Sequence, residues 1–453
     1  MRDSPPELGL SSRDVLAIAV PMILSNATVP LVGIADVAVI GHLNDPSLIG
    51  GVALGSTIFA MLFWAFGFLR MGTTGLTAQA VGAGNRAEVA ANLYRPLVIA
   101  GIAGALLYTF HVPAIVLALK LIGGSAELQT ASSSYFGVRI LSAPATLANY
   151  AIAGWLIGLA RANLAFFLQL FLNVLNIALA IAFVLFLGMG VKGAAMAAVC
   201  AEYAAVAAGL AVTMRLLKAD KDARAKIFDA KAFLRLINVN GDIMIRTVCL
   251  LFAFTFFAAQ GARFGDITLA ANSVLRSLSD LSAYVLDGFA FAAEVLVGQA
   301  AGAGNLPKFR QAVFLSSVWA AALATAVSAA FWLAGLLLIE AMTSDPSVRT
   351  AAYQFLPWAV IVPLAGVACF QLDGIFIGTT RTADMRNMMI ISLALFLLCW
   401  AVLTPMYGNN GLWGSLIIFF IVRALTLGSR YPSLEKAAFS HAAGKASARS
   451  QPA

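Results

Sequence analysis

Few residues in this chain are equipped for chemistry, and most of them stand in apolar surroundings. Asp36 sits in GIADVAVIGHL (residues 33–43), flanked by Ala35, Val37 and Ala38, with no Lys or Arg beside it. A carboxylate near the middle of a bilayer costs at least ~2.5 kcal/mol on insertion scales, so such groups are functional by default. A carboxyl group withdrawn from water holds its proton more readily and can bind and release it under physiological conditions. That is what a proton-coupled carrier requires. The bland alternative is an Asp that reaches the outer interface or caps the helix end. FLNVLNIALAIAF, from Phe171, adds two amides, Asn173 and Asn176, to another apolar stretch.

The second half of the chain holds more charge. Asp242 and Arg246 are spaced i,i+4, as are Arg276 and Asp280, the spacing of an internal helix salt bridge. Asp287 and Glu294 are i,i+7 and share a helix face. Asp373 lies in QLDGIFIG. Asp287, Glu294 and Asp373 suit either a second proton or cation site, together with a surface for a cationic substrate, or structural pairing with Arg246, Arg276 or Arg139. In the first half, Arg139 and Glu202 form another potential pair. Phe59, Met61, Phe63, Trp64, Phe289 and Phe291 are candidates to line a cavity for flat cations. His111 has no second His or Cys at a ligand spacing, so no metal site and no cofactor are expected.

The elements that must carry these groups follow from hydropathy. The chain has 453 residues, of which 61% are hydrophobic and 11% charged, with a mean hydropathy of +0.89. Soluble domains carry about 25% charged residues. Apolar runs long enough to span a bilayer recur throughout. We read twelve helices, at roughly 15–41, 48–70, 89–119, 127–159, 163–187, 190–217, 238–263, 267–299, 309–340, 349–379, 385–407 and 411–431. With the N-terminus inside, the outer loops hold Lys120, Lys192, Arg263 and Arg349, and the spans hold Arg70, Arg139, Arg246, Arg276 and Arg423. The other 20 of the 29 Lys and Arg lie inside. This asymmetry places both termini in the cytoplasm. The net charge of +8 is therefore a topology signal, and nucleic acid is not an expected partner. The N-terminal MRDSPPELGLSSRD lacks the features of a cleaved signal peptide, so the first apolar run reads as a retained span. The four cysteines lie in apolar runs and read as packing residues.

A repeat organises the spans. QAVGAGN from Gln79 and QAAGAGN from Gln299 match at an offset of 220, and the same offset aligns GWLIGLARA from Gly154 with GIFIGTTRT from Gly374. Six spans per half is an even number, so the halves enter from the same side and relate by an axis along the membrane normal. The expected fold is an all-α polytopic membrane protein. Its twelve transmembrane helices form two six-helix lobes related by pseudo-two-fold symmetry: an N-lobe (1–217), a cytoplasmic interlobe linker (218–237), a C-lobe (238–432) and a disordered tail (433–453). GAGN reads as a helix C-cap, with Gly supplying the left-handed conformation. No GK[ST] follows, so it is not a nucleotide loop.

The segment ADVAVIGHL and the paired QAVGAGN and QAAGAGN loops resemble those of multidrug and toxic compound extrusion (MATE) transporters. NGDIMIRT, from Asn240, and LDGFAFAAEVLVGQAAGAGN, from Leu286, are similar to the DinF-like branch. The resemblance covers residues 10–432. It implies a V-shaped secondary antiporter of the inner membrane, exporting organic cations or other toxic compounds against inward H⁺ or Na⁺. It implies that Asp36 is the coupling acid and that Asn176 belongs to the N-lobe cavity. It associates Pro21 with helix bending on protonation; Pro30 is the nearer alternative hinge, and either proline suits a static kink equally. Many relatives carry an aspartate where this chain has Ala180, which weakens the case for Na⁺. The runner-up is a lipid-linked-precursor flippase of the same wider superfamily, for which a markedly cationic cavity is expected. The expected partners are a small cationic, amphiphilic substrate, H⁺ or Na⁺, and the lipid bilayer, with the protein acting as a monomer. An intramembrane enzyme would need a nucleophile–base or metal constellation that the spans do not offer.

The orientation is testable with a single cysteine placed between residues 218 and 235 of a variant lacking the native four. It should react with a membrane-impermeant thiol reagent only when the cytoplasmic face is accessible. Labelling from outside intact cells would invert the topology.

Overall fold

The computed structural model describes residues 9–41, 46–123, 125–217 and 226–439. In the first half these form α1 (Ser12–Gly41), α2 (Pro46–Ala65), α3 (Phe68–Gly82), α4 (Arg86–Thr109), α5 (His111–Ile122), α6 (Ala126–Arg139), α7 (Ala143–Gly158), α8 (Ala162–Ile181) and α9 (Gly190–Leu216). The second half forms α10 (Ala230–Gly261), α11 (Asp266–Gly302), α12 (Leu306–Met342), α13 (Pro346–Gly378), α14 (Thr382–Tyr407) and α15 (Asn409–Gly428). Eleven helical stretches among the described residues are long and apolar enough to cross a membrane. With 30 residues, α1 has the length of a twelfth. The protein is an all-α polytopic membrane protein.

Several boundaries differ from the hydropathy reading, and proline chemistry accounts for two of them. The third apolar run divides into α4 and α5 at Phe110, because Pro113 has no N–H to donate to the Thr109 carbonyl. The fourth passes through a 3₁₀ turn, Ile140–Ser142, where Pro144 likewise cannot bond to Ile140. By contrast, α1 runs unbroken through Pro21 and Pro30. α10 begins at Ala230, so the second part of the expected linker is already helical. Lys226 and Ile227 are tied to α4, their carbonyls accepting from Arg95 at 2.5 and 3.3 Å. Arg95, counted among the inside charges, is buried and paired with Glu88 at 2.6 Å. Residues 431–439 are helical, and Glu435 meets Arg310 at 2.5 Å. Residues 218–225 of the linker and 440–453 of the tail lie outside the described residues.

The chain forms two compact units. One comprises Leu24–Thr77 and Asn85–Asn240; the other comprises Met1–Ile23, Ala78–Gly84 and Gly241–Ala453. A core of the first gathers Val39, Ile40, Val52, Tyr135 and Val184. In the second, edge-on aromatic pairs, Phe256 with Trp400 and Phe257 with Trp413, accompany a buried amide pair between Asn272 and Asn409 at 2.8 and 3.0 Å. Trp413 Nε1 also donates to Asn272, at 2.9 Å.

The repeat is structural to the level of single residues. Gly84 and Gly304 both adopt φ near +66°, at +66° and +67°. Asn85 and Asn305, read from sequence as part of a C-cap, are instead the N-caps of α4 and α12. Each side chain accepts from the backbone N–H three residues on, at 3.2 and 2.9 Å. Ala160 and Thr380 both take the left-handed conformation, and the N–H groups of Arg161 and Arg381 then reach back to Leu156 and Phe376, each at 2.9 Å. Within the second unit the two motif loops meet. A Cβ on Gly82 would stand 1.9 Å from the Gln299 carbonyl oxygen, and one on Gly302 would stand 2.1 Å from that of Gln79. The Gln79 amide also donates to the Gly378 carbonyl (2.9 Å) and the Thr380 hydroxyl (3.1 Å).

This contact leaves no room for a methyl group. Gly302→Ala should therefore lower the melting temperature of the detergent-solubilised protein well beyond Gly101→Ala, whose Cβ would meet nothing within 4 Å. Equal melting temperatures would show that the motif contact does not support the fold.

Candidate functional site

In the first unit, the buried face of α8 carries Asn173, Asn176 and Ala180, while Phe167, Phe171 and Val174 are exposed on the opposite, apolar face. Asn173 donates to the Thr28 hydroxyl of α1 at 2.7 Å and accepts from Gln169 at 2.9 Å. Thr28 in turn donates to the Ser25 carbonyl. The Oδ1 of Asn176 has no hydrogen-bond partner among the described residues. A buried acceptor in that state is a place for water, an ion or a group that changes protonation. Asp36 lies on α1 two turns beyond Thr28. The side chains of Asp36 and Pro30 lie outside the described residues.

A second polar group in this unit joins Arg139 and Glu202, which meet at 3.4 Å. The other oxygen of Glu202 accepts from Asn149 Nδ2 at 2.7 Å, and Arg139 donates to the Ser142 hydroxyl. The Arg139 guanidinium lies over the Phe59 ring, 4.2 Å from its centroid. Phe59 stacks on Phe63 at 4.1 Å, and both are buried. Of the other candidate lining residues, Phe289 and Phe291 are buried, whereas Met61 and Trp64 are exposed. His111 is the first residue of α5, its ring stacked on Tyr108.

In the second unit Asp373, on α13, accepts through one oxygen from two arginines. These are Arg246 of α10 and, at 2.7 Å, Arg423 of α15. All three side chains are more than nine-tenths buried. The i,i+4 pairing expected between Asp242 and Arg246 does not form. Asp242 instead accepts from Arg386 of α14 at 2.5 Å and from the Thr382 hydroxyl at 3.0 Å. The reason is energetic. An exposed i,i+4 pair contributes about 0.3–0.5 kcal/mol, whereas a charge stranded in the interior costs 3–5 kcal/mol on the order of magnitude. Each residue therefore goes to the counter-charge that another helix delivers. Arg276 and Asp280 do pair, at 2.8 Å, and Arg276 also lies over Phe254. Asp287 is half-buried and Glu294 is buried, both on α11.

Sequence reasoning missed Asn240 and Gln371. Both are buried, and neither amide has a hydrogen-bond partner among the described residues. The signal was present: each is a polar residue inside a quoted apolar motif, NGDIMIRT and QLDGIFIG.

Comparison with known proteins places this architecture. The MatE family model matches residues 21–182 and again 243–405, once in each half. The chain is 42% identical to DNA damage-inducible protein F of Escherichia coli over 425 residues, covering 92% of this chain and 91% of that protein. It is 28% identical to a probable multidrug resistance protein NorM of Caulobacter vibrioides, covering 93% and 91%. Among solved structures it is similar to the Vibrio cholerae MATE transporter VcmN in its bent form, with a TM-score of 0.83 at 20% identity, covering 94% of this chain and 97% of that one. The twelve spans, the duplicated motif loops and these matches together make the chain a membrane transporter rather than an enzyme, a member of the MATE family in its DinF-like branch.

Proposed function

We propose that the protein is a secondary antiporter that exports organic cations or other toxic compounds against inward H⁺, working by alternating access with both termini in the cytoplasm. Asp36 is the coupling carboxylate and Asn176 its polar neighbour. The observation that carries this reading is the difference between the acids of the two halves. Asp373 and Asp242 already face fixed arginines. Protonating Asp373 would take the shared carboxylate charge away from two buried guanidiniums, which is costly. In the first half, the buried Asn176 amide oxygen, without a partner among the described residues, can accept a hydrogen bond.

That oxygen gives protonation a structural consequence. An ionised carboxylate only accepts hydrogen bonds, whereas a protonated one also donates. Spans one and five are both odd-numbered and cross the membrane in the same direction. From the Thr28–Asn173 contact, α8 leads one turn on to Asn176 and α1 leads two turns on to Asp36. Protonated Asp36 would be able to donate to the Asn176 amide oxygen, a bond that ionised Asp36 cannot make. Loss of its charge would also weaken the hold on a cationic substrate. Ala180 supplies no second carboxylate on α8, which favours H⁺ over Na⁺.

A flippase for an anionic lipid-linked precursor is the second reading. It draws on the two guanidiniums set against one carboxylate at Asp373. Efflux from proteoliposomes under separately imposed H⁺ and Na⁺ gradients separates the readings. Cation efflux driven by the pH gradient supports antiport; lipid scrambling without cation efflux supports the flippase.

Asp36→Asn should insert and fold, yet lose at least ~10-fold in pH-gradient-driven export, the equivalent of about 1.4 kcal/mol. Export at the wild-type rate would move coupling to the second half. Asp373→Asn should behave in the opposite way. It breaks a buried pair and should destabilise the protein by about 3–5 kcal/mol, read as a lower melting temperature, while the folded fraction keeps pH-dependent export.

A further inference from the structure

We propose that Glu202 and Phe59 form the seat for the cationic centre of the substrate, and that Arg139 is an internal cation occupying this seat until substrate displaces it. The proposal deepens the export reading above and rests on it. An aromatic face and a carboxylate are the two groups that bind an organic cation in a dry environment, one through the ring quadrupole and the other through charge. Here a guanidinium fills the place between them, 4.2 Å from the Phe59 centroid and 3.4 Å from Glu202.

Three features distinguish this pair from a permanent bridge. The first is its looseness. Arg139 meets Glu202 at 3.4 Å, whereas Arg423 meets Asp373 at 2.7 Å. The second is that each partner is anchored without the other. Glu202 is held by the Asn149 amide at 2.7 Å, and Arg139 bonds to Ser142 on its own segment. The carboxylate therefore keeps its place when the guanidinium leaves, and the guanidinium keeps a partner. In the second unit, by contrast, the arginines converge on a single oxygen of Asp373.

The third feature is the backbone. Arg139 is the last residue of α6, at the junction with the 3₁₀ turn Ile140–Ser142. A 3₁₀ stretch inside a long span often marks a hinge. The Leu141 carbonyl, inside that turn, accepts from the Tyr203 hydroxyl at 3.0 Å, next to Glu202 in sequence. Movement at this junction would carry Arg139 away from Phe59 while α9 keeps Glu202 in place. The Arg139 side chain is 13% exposed, against 3% for Arg423, so the seat has an open edge.

The test is binding of ethidium and of tetraphenylphosphonium to purified protein in detergent, with melting temperatures measured alongside. Glu202→Gln keeps an oxygen for Asn149 but removes the charge; its Kd for both cations should rise ~10-fold, about 1.4 kcal/mol. Arg139→Ala removes the internal competitor and should lower Kd by about 3-fold or more, the exchange of one charged partner for another. Phe59→Leu should raise the Kd. Opposite shifts from the two members of one ion pair do not arise from a structural bridge, which would lower both melting temperatures and leave affinity unmoved or weakened in both. If the wild type binds and these variants bind with unchanged Kd, the seat is overturned while the export reading stands. If the wild type binds neither cation, the cation-export reading falls and takes the seat with it. Should Glu202→Gln fail to fold, the Arg139→Ala and Phe59→Leu affinities decide: tighter and weaker binding supports the seat, and equal values overturn it.

Discussion

A charge placed in hydrocarbon must find its counter-charge on another helix, and much of this protein is arranged around that requirement. Asp373 draws α10, α13 and α15 together through Arg246 and Arg423. Asp242 joins α10 to α14 through Arg386 and Thr382. Each tie crosses between helices, and removing Asp373 would strand two buried guanidiniums. These pairs are weak evidence of net stability, because desolvation offsets much of the Coulomb attraction. What they do supply is specificity: the helices can be brought together in few ways that leave no charge alone.

The duplication shows which features packing requires and which function can vary. Counterparts 220 residues apart keep the left-handed turns at Gly84 and Gly304, the caps at Asn85 and Asn305, and the close glycine contacts of Gly154 and Gly374 on the backbone two spans earlier, at Arg70 and Ala290. The polar groups are not kept. At the same offset Asn176 faces Phe396, Arg139 faces Ala359, Glu202 faces Val422 and Asp373 faces Ala153. Backbone-to-backbone approach depends on the absence of a side chain and tolerates little change. A polar site depends on a few side chains and can be built in one half and omitted from the other. Two halves of one fold thus carry different chemistry: Asp242 and Asp373 held by arginines in the second, and a more loosely paired carboxylate, Glu202, in the first.

This division gives the proposed coupling its logic. A carrier needs a group whose charge can change without loss of the fold. The acids that hold helices together are poorly suited, since losing their charge would leave guanidiniums buried. A carboxylate beside amides and small residues can be neutralised at little structural cost, and the surroundings of α8 are of that kind.

The sequence by itself determined the class of the protein, its span count and its internal repeat. These rest on local quantities, the length and hydropathy of a run and the identity of residues at a fixed offset, and hydrocarbon allows few ways to satisfy a backbone. It also exposed the polar residues in apolar runs, Asp36, Asn176 and Asp373 among them, because each stands out against its neighbours. Only the tertiary structure decided their partners. The i,i+4 spacing pointed Asp242 to Arg246, yet each bonds to a different helix, because a buried charge is held most strongly by the partner that packing delivers. Arg95, one of the inside charges, owes its burial to contacts with Glu88 and the linker carbonyls, which the sequence does not show. The seat of Arg139 between Phe59 and Glu202 joins residues 80 and 63 positions away along the chain. No periodicity within one helix encodes such a meeting; it exists only once the helices have packed.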